Sequence, residues 1–174
     1  WSINPDFLSL QNISNTLAFT VELGMIALAM TLLMTAGEFD LSVGSVFGFS
    51  AVVMWTVFNS GAAPLWAAFL IAIAISLLIG YISGLFVTRL AIPSFLVTLG
   101  MLLVVRGCAL YVTDGFPQRT WNSEGQWLAE ALAGDFFIGS FRVYMSVFWF
   151  ILFALATHYI LTGTKAGNWI QASG

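Results

Sequence analysis

Five apolar stretches, residues 15–36, 43–59, 65–87, 93–112 and 143–161, fill most of the sequence and limit its fold more than any other feature. A helix rises about 1.5 Å per residue, so about 20 predominantly apolar residues cross a hydrocarbon core about 30 Å thick. Apolar residues surround each stretch instead of forming one stripe, as in helices that face both lipid and one another. Strands are the weaker reading. Composition agrees: 60% of the 174 residues are hydrophobic and 7% are charged, whereas soluble domains carry about 25% charged residues. The expected fold is all-α, a polytopic transmembrane helix bundle of about five spans, forming a single domain over residues 1–174.

The polar residues exclude several classes. Eight acids and five bases give a formal charge of −3 with no basic stripe, so the electrostatic footprint of a nucleic-acid binder is missing. Cys108 and His158 are single; they make neither an internal disulfide nor a structural zinc site, and no metal or cofactor is expected. No G-x-x-x-x-G-K-[ST], H-E-x-x-H or G-x-S-x-G occurs, so neither P-loop nucleotide binding nor hydrolysis is expected of this chain. The sequence opens on Trp1 without an initiator methionine and without a signal-peptide pattern; it is expected to be incomplete at both ends, with insertion directed by its own spans.

The connections differ in character. Residues 37–42 are short and acidic, 59–64 make a small turn, and 88–92 form a tight link carrying Arg89. The one long loop, 114–142, opens with the turn signals Asp114-Gly115 and Phe116-Pro117. Within it Trp127, Leu128, Ala131 and Leu132 lie at helical spacing beside Glu124 and Glu130, which fits either a short interfacial amphipathic helix or a plain solvated loop. If spans alternate, Arg89 and Lys165 share one side and Arg119 and Arg142 the other. That tie is tipped by Arg106 toward the second side as cytoplasmic.

Glu38 and Asp40 are the most informative charges, since they lie between two apolar spans. Asp40 is placed as an N-cap, its carboxylate accepting the free N–H groups that begin the second span. Two readings fit the pair: carboxylates in a membrane-surface turn, or a broken helix whose polar backbone faces a water-filled pathway. Gly44/Gly48 and Gly80/Gly84 give two GxxxG spacings, expected to let helix backbones approach closely. Pro93 suits the first turn of the fourth span, with Ser94 and Thr98 on one face after it. Hydroxyls there line a polar path or bond to neighbouring backbone. Glu22 is a candidate for an internal role, and Arg106 for snorkelling to the interface. His158 is given no role, and Trp55, Trp66, Trp149 and Trp169 fit interfacial anchors.

In order along the chain, five segments carry a resemblance. They are Gly37-Glu38-Phe39-Asp40-Leu41-Ser42-Val43-Gly44-Ser45; Gly84-Leu85-Phe86-Val87 through Ile92-Pro93-Ser94-Phe95-Leu96-Val97-Thr98-Leu99-Gly100; Arg106-Gly107; Thr113-Asp114-Gly115; and Thr164-Lys165-Ala166-Gly167-Asn168 through Ala172-Ser173-Gly174. Together they resemble the membrane permease subunits of ribose-type sugar importers of the ATP-binding cassette class. The resemblance implies a permease without bond chemistry of its own, forming the translocation pathway for a monosaccharide-like substrate. It implies a bacterial inner-membrane location and, as partners, a second permease copy, ATPase subunits and a periplasmic sugar-binding protein. It further implies an N-terminal helix and a C-terminal half beyond this chain. It sets the Lys165 end in the cytoplasm and residues 114–142 in the periplasm, against the arginine count. Ser42, Ser45, Ser94 and Thr98 are then expected along the substrate route, Asp40 as a structural pivot, and Lys165, Gly167 and Asn168 near the ATPase contact. That family often has Gly or Ser where Glu38 stands. Two other functions fit the residues: a proton-coupled secondary transporter using Glu22 or Glu38, and a membrane scaffold whose long loop binds a partner.

Overall fold

The structure, a computed structural model, describes residues 5–117 and 124–174. Arg119, used in the orientation count, lies outside them. The chain divides into two compact units, one containing Glu38–Gly125 and the other Trp1–Gly37 with Gln126–Gly174.

The first of these is built on three helices: α2 (Val43–Asn59), α3 (Leu65–Leu90) and α4 (Ser94–Thr113). Here α1 denotes Leu10–Thr35, in the other unit. Pro64 starts α3, while a left-handed Ala91 (φ 51°) followed by Pro93 stops it and turns the chain into α4. Pro93 is the residue before α4 instead of part of its first turn, its extended backbone (φ −53°, ψ 132°) aiming Ser94 into the helix. Asp114 (φ 50°) and Gly115 (φ 77°) end α4 in left-handed conformation. The short links make α3 antiparallel to both neighbours, so α2 and α4 run the same way and pack together. Ala68 and Ala72 of α3, Val53 and Phe58 of α2 and Val105 of α4 are buried.

The other unit pairs α1 with α6 (Met145–Gly163). Ser9 caps α1 by accepting from the Asn12 N–H at 3.3 Å. Gly24 of α1 takes the ring of Phe150 on α6, an approach a larger side chain would block. Ahead of α6 in the sequence come a short helix α5 (Gln126–Ala133) and an antiparallel hairpin, β1 (Asp135–Ile138) with β2 (Phe141–Tyr144). The amphipathic segment around Trp127 is thus helical, and Trp149 Nε1 ties it to α6 by donating to Ala131 O at 3.1 Å. The hairpin is a departure from the expected loop. Its two strands are four residues each, and β2 takes Val143 and Tyr144, the first two residues of the fifth apolar stretch, so that α6 begins only at Met145. Arg142 grips Asp135 with two bonds, Nε at 2.8 Å and Nη2 at 2.7 Å, and its guanidinium lies 5.1 Å from the Tyr144 ring centre. This fork holds the Asp135 carboxyl below the usual carboxylate range.

Four helices, α1, α3, α4 and α6, are long and apolar enough to cross a membrane. The second expected span is not. At 17 residues α2 measures about 25 Å, short of the roughly 30 Å hydrocarbon core.

Candidate functional site

The shortness of α2 defines the site. A cavity of about 400 Å³ between α2 and α3 is lined at one end by Phe47 and Leu77 and at the other by Met54 and Phe69, which sets Phe47 level with Leu77. Thirteen residues of α3 continue beyond Leu77, whereas only four of α2 precede Phe47. At about 1.5 Å per residue, α2 begins about 14 Å short of the end where α3 joins α4. Residues 38–42 are non-helical and lead into α2, with Phe39 bonded to Ser94 at the start of α4. The polar stretch therefore runs beside the last turns of α3, the placement that the broken-helix reading requires.

Backbone at such depth needs partners, because each unpaired group away from water costs several kcal/mol, on the order of 2–7. The sequence supplies some of them. Ser94 Oγ accepts the Phe39 N–H at 3.2 Å. Thr98, buried at 4% exposure, gives its proton chiefly to Ser94 O at 2.8 Å, with Phe39 O at 3.5 Å as a weak second acceptor. Asp40 Oδ1 accepts from both the Ser42 N–H at 2.7 Å and the Ser42 hydroxyl at 2.6 Å, an Asx turn. Asp40 is not the N-cap. Ser42 occupies that position in an αR conformation and makes no side-chain cap; its hydroxyl is turned back to Asp40 and is 1% exposed. Among the described residues the N–H groups of Val43, Gly44 and Ser45 then meet no acceptor.

The four hydroxyls named from sequence thus divide. Ser42, Ser94 and Thr98 hold residues 39–42 in place, while Ser45 lines a separate cavity of about 490 Å³ between α2 and α4. Arg106 lines it too, exposed and without a hydrogen bond or ion pair among the described residues. Sequence reasoning assigned Arg106 only a snorkelling role. Gly44 and Gly48 line the same cavity, and a Cβ at either, or at Gly80 or Gly84, would meet nothing within 4 Å. Both GxxxG spacings therefore leave open faces instead of the close helix approach expected of them.

In the other unit, Thr164 ends α6 and begins α7 (Lys165–Ser173), donating to Ile160 O at 2.6 Å and accepting the Gly167 N–H at 3.1 Å. Gly167 is buried, and a Cβ on it would collide with the carbonyls of Ile160 and Leu161. Gln171 Nε2 closes the joint on Leu161 O at 2.7 Å. Lys165, Asn168 and Trp169 are exposed on α7, so the glycine fixes the bend and its neighbours form the outer face. Glu22 is exposed on α1, and Glu38 is half-buried. Cys108 is a free, exposed thiol. Among the described residues no group of three metal-ligating side chains occurs.

Fold and site together define a multi-pass helical membrane protein whose second apolar helix, α2, is short and preceded by the non-helical residues 38–42. The chain belongs to the family described as branched-chain amino acid transport system / permease component, which matches residues 12–174. It is 33% identical to the ribose import permease of Haemophilus influenzae over 173 residues, 99% of this chain and 52% of that protein. It is 30% identical to the ribose import permease of Escherichia coli K12 over 174 residues, 99% of this chain and 53% of the relative. It is 31% identical to the L-arabinose ABC transporter permease of Azospirillum brasilense over 175 residues, 98% of this chain and 48% of that one. The chain spans about half the length of these relatives. No solved structure matches it.

Proposed function

We propose that this chain is part of a permease subunit that forms the translocation pathway for a monosaccharide, with ATP hydrolysis performed by separate ATPase subunits. The observation that carries the proposal is the discontinuous second span: polar backbone at membrane depth is tolerated where it lines a cavity or is buried in protein, and broken helices mark transporter substrate paths. The relatives' names, import permeases for ribose and arabinose, supply the substrate class. A periplasmic sugar-binding protein delivers the sugar, a second permease copy completes the pathway, and the assembly sits in the bacterial inner membrane. Residues 114–142 face the periplasm, and the α6–α7 joint with Lys165, Gly167 and Asn168 faces the cytoplasm toward the ATPase. Residues 1–174 act as one permease domain in this assembly. Asp40 is the pivot of the discontinuous span, since its carboxylate organises the turn into α2.

The test is uptake of labelled ribose, arabinose and xylose into proteoliposomes holding the full-length permease, its ATPase and the binding protein. Uptake is expected to require ATP on the ATPase side and to survive a protonophore. Uptake that survives ATP depletion and collapses with the protonophore refutes the proposal in favour of proton coupling through Glu22 or Glu38.

A further inference from the structure

We propose that the cavity between α2 and α4 is a sugar subsite, with Arg106 and Ser45 as its hydrogen-bonding groups; this rests on the sugar-permease reading above. Three observations converge. First, the cavity measures about 490 Å³, within the roughly 300–1,000 Å³ of small-ligand sites. Second, its α2 wall is stripped of side chains at Gly44 and Gly48, so a ligand can approach the helix backbone itself. Third, its polar groups are uncommitted. Arg106 has no partner among the described residues, and Ser45 Oγ makes no bond there, unlike the hydroxyls of Ser42, Thr98 and Thr113.

Arg106 lies twelve residues from the start of α4 and seven from its end, about 18 Å and 10 Å along the helix. A guanidinium at that depth is costly unless it faces a polar or water-filled space. Among the described residues no carboxylate lines this cavity. Within the described residues its donors are therefore left for acceptors that enter the cavity, such as the hydroxyl oxygens of a sugar. Five fixed N–H donors on one side and a hydroxyl that both donates and accepts on the other suit a polyol, while the apolar walls of Phe49, Val52 and Leu110 suit the C–H face of a sugar ring. Binding through so few groups is weak, as a pathway needs if the sugar is to leave.

Val52 lines the cavity without a polar role, which makes it the reporter. Val52→Cys is built in the full-length permease with Cys108 and every other cysteine replaced by serine, in proteoliposomes with the ATPase and binding protein, and alkylation by a water-soluble maleimide is timed with and without D-ribose, with sodium chloride at matched osmolarity as control. Ribose is expected to slow alkylation several-fold. Arg106→Gln is expected to abolish that protection and to lower ribose uptake at subsaturating concentration about 10-fold or more, the loss of a charge-assisted hydrogen bond. Arg106→Lys, which keeps the charge but not the fork, covers the case in which the glutamine variant fails to assemble, and should retain only part of the protection. Ribose uptake without protection of the introduced thiol overturns the inference alone, as does protection unchanged in both arginine variants, the result expected if Arg106 only pairs with an acid elsewhere in the full assembly. If the wild-type assembly takes up none of ribose, arabinose and xylose, the transport reading falls and the subsite with it.

Discussion

The Asx turn at Asp40 should be the most sensitive point of the discontinuous span, and its cost can be worked from the bonds. One carboxylate oxygen accepts from both the N–H and the hydroxyl of Ser42, at 2.7 and 2.6 Å. Bonds to a charged group contribute about 1.5–3 kcal/mol each, and a buried donor left unsatisfied costs about 1–3 kcal/mol. Because Ser42 is 1% exposed, Asp40→Ala strands two buried donors, although the Ser42 hydroxyl can rotate toward another acceptor. The two bonds share one oxygen and Asp40 is only half-buried, so the lower ends of these ranges apply. About 2–4 kcal/mol is expected for Asp40→Ala. Asp40→Asn keeps an acceptor in place without the charge and should cost about 1–2 kcal/mol. At about 2–4 °C per kcal/mol for a chain of this size, tryptophan fluorescence melts in nanodiscs should fall about 4–16 °C for alanine and about 2–8 °C for asparagine. Ser42→Ala removes the hydroxyl bond only, and the cycle with Asp40→Asn should show a coupling of about 0.5 kcal/mol or more. Equal melts for Asp40→Ala and the wild type, or zero coupling in the cycle, would show that these bonds do not hold the turn.

Three further outcomes are expected. Gly167→Ala forces a methyl against the Ile160 and Leu161 carbonyls, costing about 1–3 kcal/mol; α7 should loosen from α6, read as faster proteolysis near Trp169, and unchanged proteolysis refutes the packing. Because the Asp135 carboxyl is held below its usual range by Arg142, the ion pair adds stability above pH about 4 that is lost as pH falls through the folded value. Protection factors of the β1 and β2 amides, each referred to the intrinsic exchange rate at that pH, should therefore fall below pH about 4 in wild type and be less pH-dependent in Asp135→Asn; identical pH profiles refute it. Ser14 Oγ is buried without a partner among the described residues, so Ser14→Ala should leave the melt unchanged or raise stability, by up to about 1–3 kcal/mol, and a clear drop means that the hydroxyl has a partner.

Legibility followed chemistry. Helices α1, α3, α4 and α6 were legible because lipid allows few alternatives: a run of apolar residues with no charge, such as 65–87, must close its own hydrogen bonds. The hairpin at Asp135–Tyr144 was missed although its signal is local: Ile138 pairs with Phe141 across a two-residue turn, Gly139-Ser140, with Gly139 at φ 63°, between two short β-prone runs. Close approaches were misplaced for another reason. A glycine pair shows where backbones can meet, whereas whether they do depends on a partner's shape; the observed contacts fall at Gly24, under Phe150, and at Gly167, under the α6 carbonyls.

Asp40 shows the same limit at the site. Its acidic side chain two residues before Ser42 fits both an N-cap and an Asx turn; because α2 begins only after Ser42, Asp40 Oδ1 takes the Ser42 N–H and hydroxyl and not the N–H groups of Val43 to Ser45. The discontinuity itself was nonetheless written in lengths. The second apolar run is 17 residues and its antiparallel partner forms a helix of 26, a difference of about 14 Å. A helix pair joined by a short turn at one end cannot hide that mismatch: the shorter partner must either stop within the membrane or be continued by something that is not helix. Residues 38–42, with two acids, a serine and no run of helix formers, are the continuation, and the hydroxyls that make it tolerable come from the neighbouring helix, at Ser94 and Thr98. Residues 39–42 are therefore held in part by what α4 offers, and the same helix carries Arg106, unpaired among the described residues, into the cavity it shares with the α2 wall.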